Sequence, residues 1–255
     1  MSHALFDLTG RIALVTGATS GLGHAMARGL GQAGATLVVN GRDPGRIEES
    51  VEGFRTEGLK ASGSRFDVTQ ADEVAAEVER IEAEVGPIDI LVNNAGIQRR
   101  APLLEMDPAV FDEVMRTNLT GVFLVGQAVA RHMVERRRGK IVNIASLTSE
   151  VARKTIAPYT AAKGAVKQLT KSMCVEWAPH NIQVNAIGPG YFETPLNEAL
   201  MNDDAFDTWV KGRTPAGRWG VPKELVGAAV FLSSAASDFV NGQVVYVDGG
   251  LLAAI

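Results

Sequence analysis

A single doubly wound α/β domain, with a sheet of about seven parallel strands and a small helical lid, is the fold the sequence predicts. Three observations predict it. Short apolar, β-branched runs alternate with helical patterns of ten to fifteen residues. Several of these runs are apolar almost throughout, as strands covered by helices on both faces require. A glycine-rich turn separates the first run from the first helical pattern.

The elements follow in order. Residues 11–16 read as a strand that enters the glycine turn and then a helix over 22–33. Strand 36–40, helix 44–57, strand 60–66, helix 71–85 and strand 88–92 continue the rhythm. A long helical stretch, 107–137, is expected to break near 116–118. Strand 140–145, helix 157–177, strand 183–187, helix 223–233 and strand 243–247 complete the series. Pro44, Pro108, Pro158 and Pro222 stand where helices begin, the place at which a missing N–H costs nothing. Residues 189–220, rich in Gly, Pro and aromatic side chains, interrupt the pattern and read as a substrate lid on a domain spanning 1–255.

Composition excludes several function classes. The chain has 255 residues, 46% hydrophobic and 21% charged, with 25 Lys+Arg against 29 Asp+Glu for a net charge of −4. Its longest run of like charge is Arg136-Arg137-Arg138, which argues against a nucleic-acid or anionic-membrane partner. The single cysteine, Cys174, excludes an internal disulfide and reads as a packed core thiol of a protein in a reducing compartment. His3, His24, His132 and His180 share no ligand spacing with one another, so no metal site is expected. No apolar stretch is long enough to span a bilayer and residues 1–10 lack a signal pattern, so a cytoplasmic location is expected.

The turn Thr16-Gly17-Ala18-Thr19-Ser20-Gly21-Leu22-Gly23 has the chemistry of a dinucleotide site. Glycines without Cβ allow a tight turn, close approach to a pyrophosphate and tight helix packing, and the helix N-terminus favours the anion. At the end of the second strand a carboxylate would select NAD and a cation NADP. Here Asn40-Gly41-Arg42-Asp43 offers Arg42, which favours NADP; the alternative is that Arg42 pairs in solvent with Asp43 or Glu48.

Together with the glycine turn, Asn93-Asn94-Ala95-Gly96, Asn118, Ser146, Tyr159-Thr160-Ala161-Ala162-Lys163 and Gly188-Pro189-Gly190 resemble the short-chain dehydrogenase/reductase family over nearly the whole chain. The resemblance implies catalysis by Asn118, Ser146, Tyr159 and Lys163, with Tyr159 exchanging a proton, Ser146 on the substrate oxygen, Lys163 on the ribose and Asn118 at a relay water. Four residues separate Tyr159 from Lys163, one helical turn on one face. An ammonium there, with the oxidised ring, is expected to lower a phenol pKa near 10. The resemblance further implies cofactor contacts from Asp67 and Val68 at adenine, Asn93 at the ribose, Ala95 and Gly96, and Ile187, Pro189, Gly190 and Thr194 around the carboxamide. Asn93 also reads as a stabiliser of the central sheet. Homotetramers packed through the helices bearing Asn118 and Tyr159 are implied as well.

Cations near the expected cleft suggest an anionic, hydroxylated substrate. Gln98-Arg99-Arg100 follows the Asn-Asn-Ala-Gly turn, and Arg153-Lys154 follows Ser146 by seven residues. A guanidinium grips a carboxylate through two parallel hydrogen bonds. Tyr191, Glu150 and Glu193 are further candidates for substrate hydroxyls. Within the family, the segments 94–100, 127–133, 163–167, 189–192 and 213–220 resemble members that interconvert D-gluconate and 5-keto-D-gluconate. Another keto sugar, a polyol or a 3-oxoacyl group stays open as substrate. A cofactor sensor without turnover is expected to lack Tyr159 or Lys163, and both are present.

Overall fold

The computed structural model describes residues 4–254, so His3 lies outside the described residues. Seven parallel strands form one sheet: β1 (Ile12–Val15), β2 (Thr36–Gly41), β3 (Ala61–Arg65), β4 (Ile88–Asn93), β5 (Gly139–Ile144), β6 (Ile182–Pro189) and β7 (Val244–Val247). Their order is β3-β2-β1-β4-β5-β6-β7, the Rossmann arrangement in which the winding reverses between β1 and β4. The crevice at that reversal, beyond the carboxyl ends of the strands, is where such sheets place ligands.

Alternation along β1 explains the two-sided core. Ala13 and Val15 enter one apolar layer with Met26, Leu30, Val51 and Phe54; Ile12 and Leu14 enter the other with Val78, Ile81, Val125 and Met133. Helices α1 (Gly21–Gln32) and α2 (Pro44–Thr56) supply the first layer, and α3 (Ala71–Glu84) the second. The long stretch after β4 divides into α4 (Pro108–Met115), a π-turn over Arg116–Thr120 and α5 (Gly121–Arg136). The expected break near 116–118 is therefore a widened turn inside a continuous helix, a feature common at functional sites. Helix α6 (Ala157–Trp177) follows β5.

The lid is helical. After β6 come a 3₁₀ turn at Pro195–Asn197, α7 (Glu198–Met201) and α8 (Asp204–Arg213). Its own small core joins Leu200, Val210 and Trp219 to Tyr191 and Phe206. Pro222–Leu225 is 3₁₀, so α9 (Val226–Ser233) begins later than the pattern suggests. Among the described residues no helix is long and apolar enough to cross a membrane, and no metal-ligating cluster occurs.

Candidate active site

One cleft of about 530 Å³ runs along the carboxyl ends of the strands, from the β2 tip past the glycine turn to the lid. At its base the glycine turn is clamped from the β4 side. The Asn94 side-chain amide donates to the carbonyls of Thr16 and Gly17, both at 3.0 Å, while the Thr16 hydroxyl oxygen accepts from the amides of Asn94 and Ala95. From the β2 side, Asn40 accepts from the Gly17 amide at 3.3 Å and donates to the carbonyls of Ser64 and Phe66. A Cβ at Gly23 would stand 2.3 Å from the Asn94 amide nitrogen and 2.5 Å from the Gly17 carbonyl, so only glycine fits. Gly17 has φ +62, a left-handed conformation.

These features fit a dinucleotide. Ser20 heads α1 without a side-chain cap, leaving the first amides of the helix for an anion beside a cradle that a Cβ would fill. Thr19, Ser20, Gly21 and Leu22 line the cleft beside them. At the adenine end, Arg42 is exposed and lies 3.8 Å from Asp67, rather than on Asp43 or Glu48. Asp43 instead caps α2 by accepting from the Arg46 amide. Val68, Ala95, Gly96, Pro189, Gly190 and Thr194 all line the cleft.

Beyond the glycine turn, β5 and α6 bring three groups together. Ser146 follows β5, and its hydroxyl oxygen accepts from the Thr148 amide at 3.1 Å. Tyr159 and Lys163 occupy successive turns at the start of α6, and the Lys163 ammonium lies 5.6 Å from the Tyr159 ring centroid. That ammonium donates to the Ile144 carbonyl at 2.5 Å, fixing it under the cleft. Burial pushes the Lys163 ammonium down to about 8. Burial also pushes the Tyr159 phenol above its ordinary value, against the opposing effect of its hydrogen bond with Ser146. The expected lowering of the phenol is thus not a property of the protein alone, because desolvation outweighs the neighbouring hydroxyl.

Several expected residues stand elsewhere. Asn118 does not line the cleft; its buried amide closes a reciprocal pair with the backbone of Ile97, both bonds 2.8 Å. Asn93 binds Asn143 at 2.9 Å inside the sheet, and Ile187 is buried in the apolar core. Arg99 points away, its guanidinium held by the Glu113 carboxylate. Glu150 is engaged by Lys167 and Tyr246, and exposed Glu193 lies off the cleft. Gln98, Arg153 and Tyr191 do line it, whereas Arg100 sits just outside, bonded to the Gln98 amide oxygen. Asn94, Thr16 and Thr148 brace the glycine turn and Ser146, contacts that the sequence alone did not assign to them. The doubled Asn93-Asn94 was the available signal, with the clamp falling to the second of the pair.

A family model described as enoyl-(acyl carrier protein) reductase matches residues 17–252. The chain is a short-chain dehydrogenase/reductase. This short-chain dehydrogenase/reductase is 58% identical over 252 residues to the gluconate 5-dehydrogenase of Gluconobacter oxydans (strain 621H), covering 98% of both chains. It is 56% identical over 257 residues to the 2-dehydro-3-deoxy-D-gluconate 5-dehydrogenase of Formosa agariphila, covering 100% of this chain and 97% of that relative. Among solved structures, a gluconate 5-dehydrogenase from Burkholderia cenocepacia J2315 in complex with NADP and tartrate superposes with a TM-score of 0.97 at 56% identity over 99% of each chain. As a member of this family the protein is a dehydrogenase/reductase acting on a secondary alcohol.

Proposed function

We propose that this protein interconverts D-gluconate and 5-keto-D-gluconate with NADP(H) as cofactor. The observation that carries the reading is the meeting of Ser146, Tyr159 and Lys163 with the glycine cradle in one cleft. The Gluconobacter and Burkholderia relatives support the substrate and the NADP. A dinucleotide held there would supply hydride for carbon 5 of the keto acid, or take it up from the alcohol. In reduction Tyr159 donates its phenolic proton to the carbonyl oxygen; in oxidation the phenolate takes the proton back from the hydroxyl. Ser146 holds that oxygen by a hydrogen bond. Lys163, oriented by the Ile144 carbonyl, holds the ribose and favours the phenolate when charged. Asn118 keeps the Ile97 segment against the π-turn and so positions a relay water.

Arg42 reads the 2′-phosphate, supported by its exposure at the β2 tip and its long, weak contact with Asp67. Arg42→Ala is expected to weaken NADPH at least about tenfold and leave NADH unchanged, as measured by fluorescence titration. Equal loss for both cofactors rejects the role.

A second reading, 2-dehydro-3-deoxy-D-gluconate as substrate, is favoured by the Formosa relative, with which it shares a gluconate skeleton and reaction at carbon 5. Initial rates of oxidation of both acids, and of reduction of 5-keto-D-gluconate, separate the two. No turnover of gluconate or its 5-keto form overturns the first. Assembly into a homotetramer through α5 and α6 belongs to the same reading; exposed Phe123 and half-buried Trp177 give the adjoining faces of these helices apolar surface that a subunit contact would cover, and analytical ultracentrifugation tests the subunit number.

A further inference from the structure

Several cations on the segments that flank the cleft already have a carboxylate. Arg99 is held by Glu113, Arg218 by Glu224, Lys211 by Asp207 and Lys167 by Glu150. Among the described residues Arg100 is bonded to the Gln98 amide oxygen rather than to a carboxylate, and Arg153 has no carboxylate either. Arg153 lines the cleft with Ser146 and Tyr159, and its Nε is buried without a hydrogen-bond partner. The carboxylate nearest in sequence to its aromatic neighbour, Asp207, is committed to Lys211 and to the Trp219 indole N–H. An uncompensated guanidinium with an unmet donor in a cleft wants an anion from outside the chain.

Its position is built rather than incidental. The Arg153 guanidinium carbon lies 4.8 Å from the ring centroid of Phe206, on lid helix α8. Phe206 is itself wedged among Tyr191, Trp209 and Trp219, at centroid distances of 5.6, 5.3 and 6.3 Å. A guanidinium laid over a ring keeps its edge available for the in-plane, two-point hydrogen bonding that a carboxylate offers. Thr155, two residues on, takes φ +69, a conformation rare for a β-branched residue, and its carbonyl accepts from the Ala101 amide at 3.0 Å. That bond ties the segment bearing Arg100 to the one bearing Arg153. Burial, and then the neighbouring Arg153, pull Arg100 below its ordinary value, in keeping with two cations gathered at one place.

We infer that Arg153, braced by Phe206, is the specificity-determining residue that binds the substrate carboxylate, and that Phe206 is a positioning residue through which acid recognition fixes the lid. The inference rests on the sugar-acid reading above. It assigns to one arginine what the sequence spreads over Arg99, Arg100 and Arg153.

The test compares 5-keto-D-gluconate with L-sorbose, an uncharged ketohexose, at saturating NADPH, and measures D-gluconate binding to the NADP-loaded protein by calorimetry. Arg153→Met is expected to lower kcat/KM for the acid about a hundredfold, chiefly through KM, and to leave sorbose within about threefold. Gluconate affinity falls in parallel while NADPH affinity is kept. Arg153→Lys, which retains charge without the planar fork, recovers part of the loss. Phe206→Leu raises KM for the acid about tenfold and spares sorbose. Equal losses on acid and neutral substrate, unchanged gluconate affinity in Arg153→Met, or an acid-selective loss confined to Arg100→Met would each overturn the inference. A wild-type protein inactive on 5-keto-D-gluconate and unable to bind gluconate would instead remove the reading beneath it.

Discussion

Lys163 spends folding stability to hold a charge under the cleft. Its ammonium is buried and lies near 8 in the folded protein against 10.5 for the free side chain. Below pH 8 both folded and unfolded chains carry the proton, and the folded state bears the full cost of burial. Between 8 and 10.5 the unfolded chain binds more protons, so stability rises with pH, and the cost is gone above 10.5. Relative to Lys163→Met, the wild type is therefore expected to gain about 3 kcal/mol across that window, read by urea unfolding of both proteins at pH 7 and above 10.5. Tyr159 is pushed the other way by burial, so its phenol is protonated at neutral pH. In the proposed reaction, reduction needs that protonated form and oxidation the phenolate. The oxidation rate should rise as pH increases above neutrality while the reduction rate does not, which pH profiles of kcat in both directions would check. Tyr159→Phe would remove the proton that the proposed reaction exchanges and is expected to cost about 10²–10⁴ in kcat, with NADPH affinity retained.

At the scale of elements, the site depends on how the glycine turn is seated between β2 and β4. Asn94 closes it from one side and Asn40 from the other, and Gly23 leaves room for the Asn94 amide. Gly23→Ala would drive a methyl into both the Gly17 carbonyl, which is backbone, and the Asn94 amide, which two hydrogen bonds hold in place. NADPH affinity is expected to fall by about a hundredfold or more, as measured by calorimetry. Circular dichroism distinguishes this from global loss of fold. The π-turn at Arg116–Thr120 does similar work on the opposite wall: it turns Asn118 inward to lock the backbone at Ile97. Neither contact is written in periodicity. A helical pattern reports which face is apolar, whereas an extra residue in one turn changes which side chain meets a loop 21 positions earlier.

For the molecule as a whole, Asp89 pins the amino ends of the central strands. It is buried, and its carboxylate accepts from the Ile12 amide at 3.1 Å, from Arg11 at 3.3 Å and from Arg138 at 2.5 Å. It thus joins β1, β4 and the connection leaving α5, at the edge of the sheet opposite to the cleft. Asp89→Ala strands the Ile12 amide and both guanidinium groups, which are partly exposed and so regain some hydration. The expected loss is about 2 kcal/mol, seen as a drop of about 4–8 °C in Tm by calorimetry, with kcat at 25 °C unchanged. The seven-stranded order has a further consequence for function. Because the winding reverses between β1 and β4, the glycine turn after β1 and the segments after β4 and β5 open onto one crevice, while β6 delivers the lid to its far wall.

The strand and helix rhythm, the glycine turn and the Tyr159–Lys163 spacing are legible in the sequence, because each depends on neighbours within a few residues. Buried strands need continuous apolar runs, a phosphate cradle needs missing Cβ atoms, and one helical turn sets four residues apart on one face. Which of two adjacent asparagines clamps the turn, which arginine enters the cleft, and whether Tyr159 is raised or lowered were decided only by the tertiary structure. Asn93 and Asn94 point to opposite faces of a strand end, Arg99 meets Glu113 from a helix 14 residues away, and Arg153 finds Phe206 across the lid. Those outcomes follow from burial and from partners distant in sequence, and desolvation acts on a side chain only once the chain has closed around it.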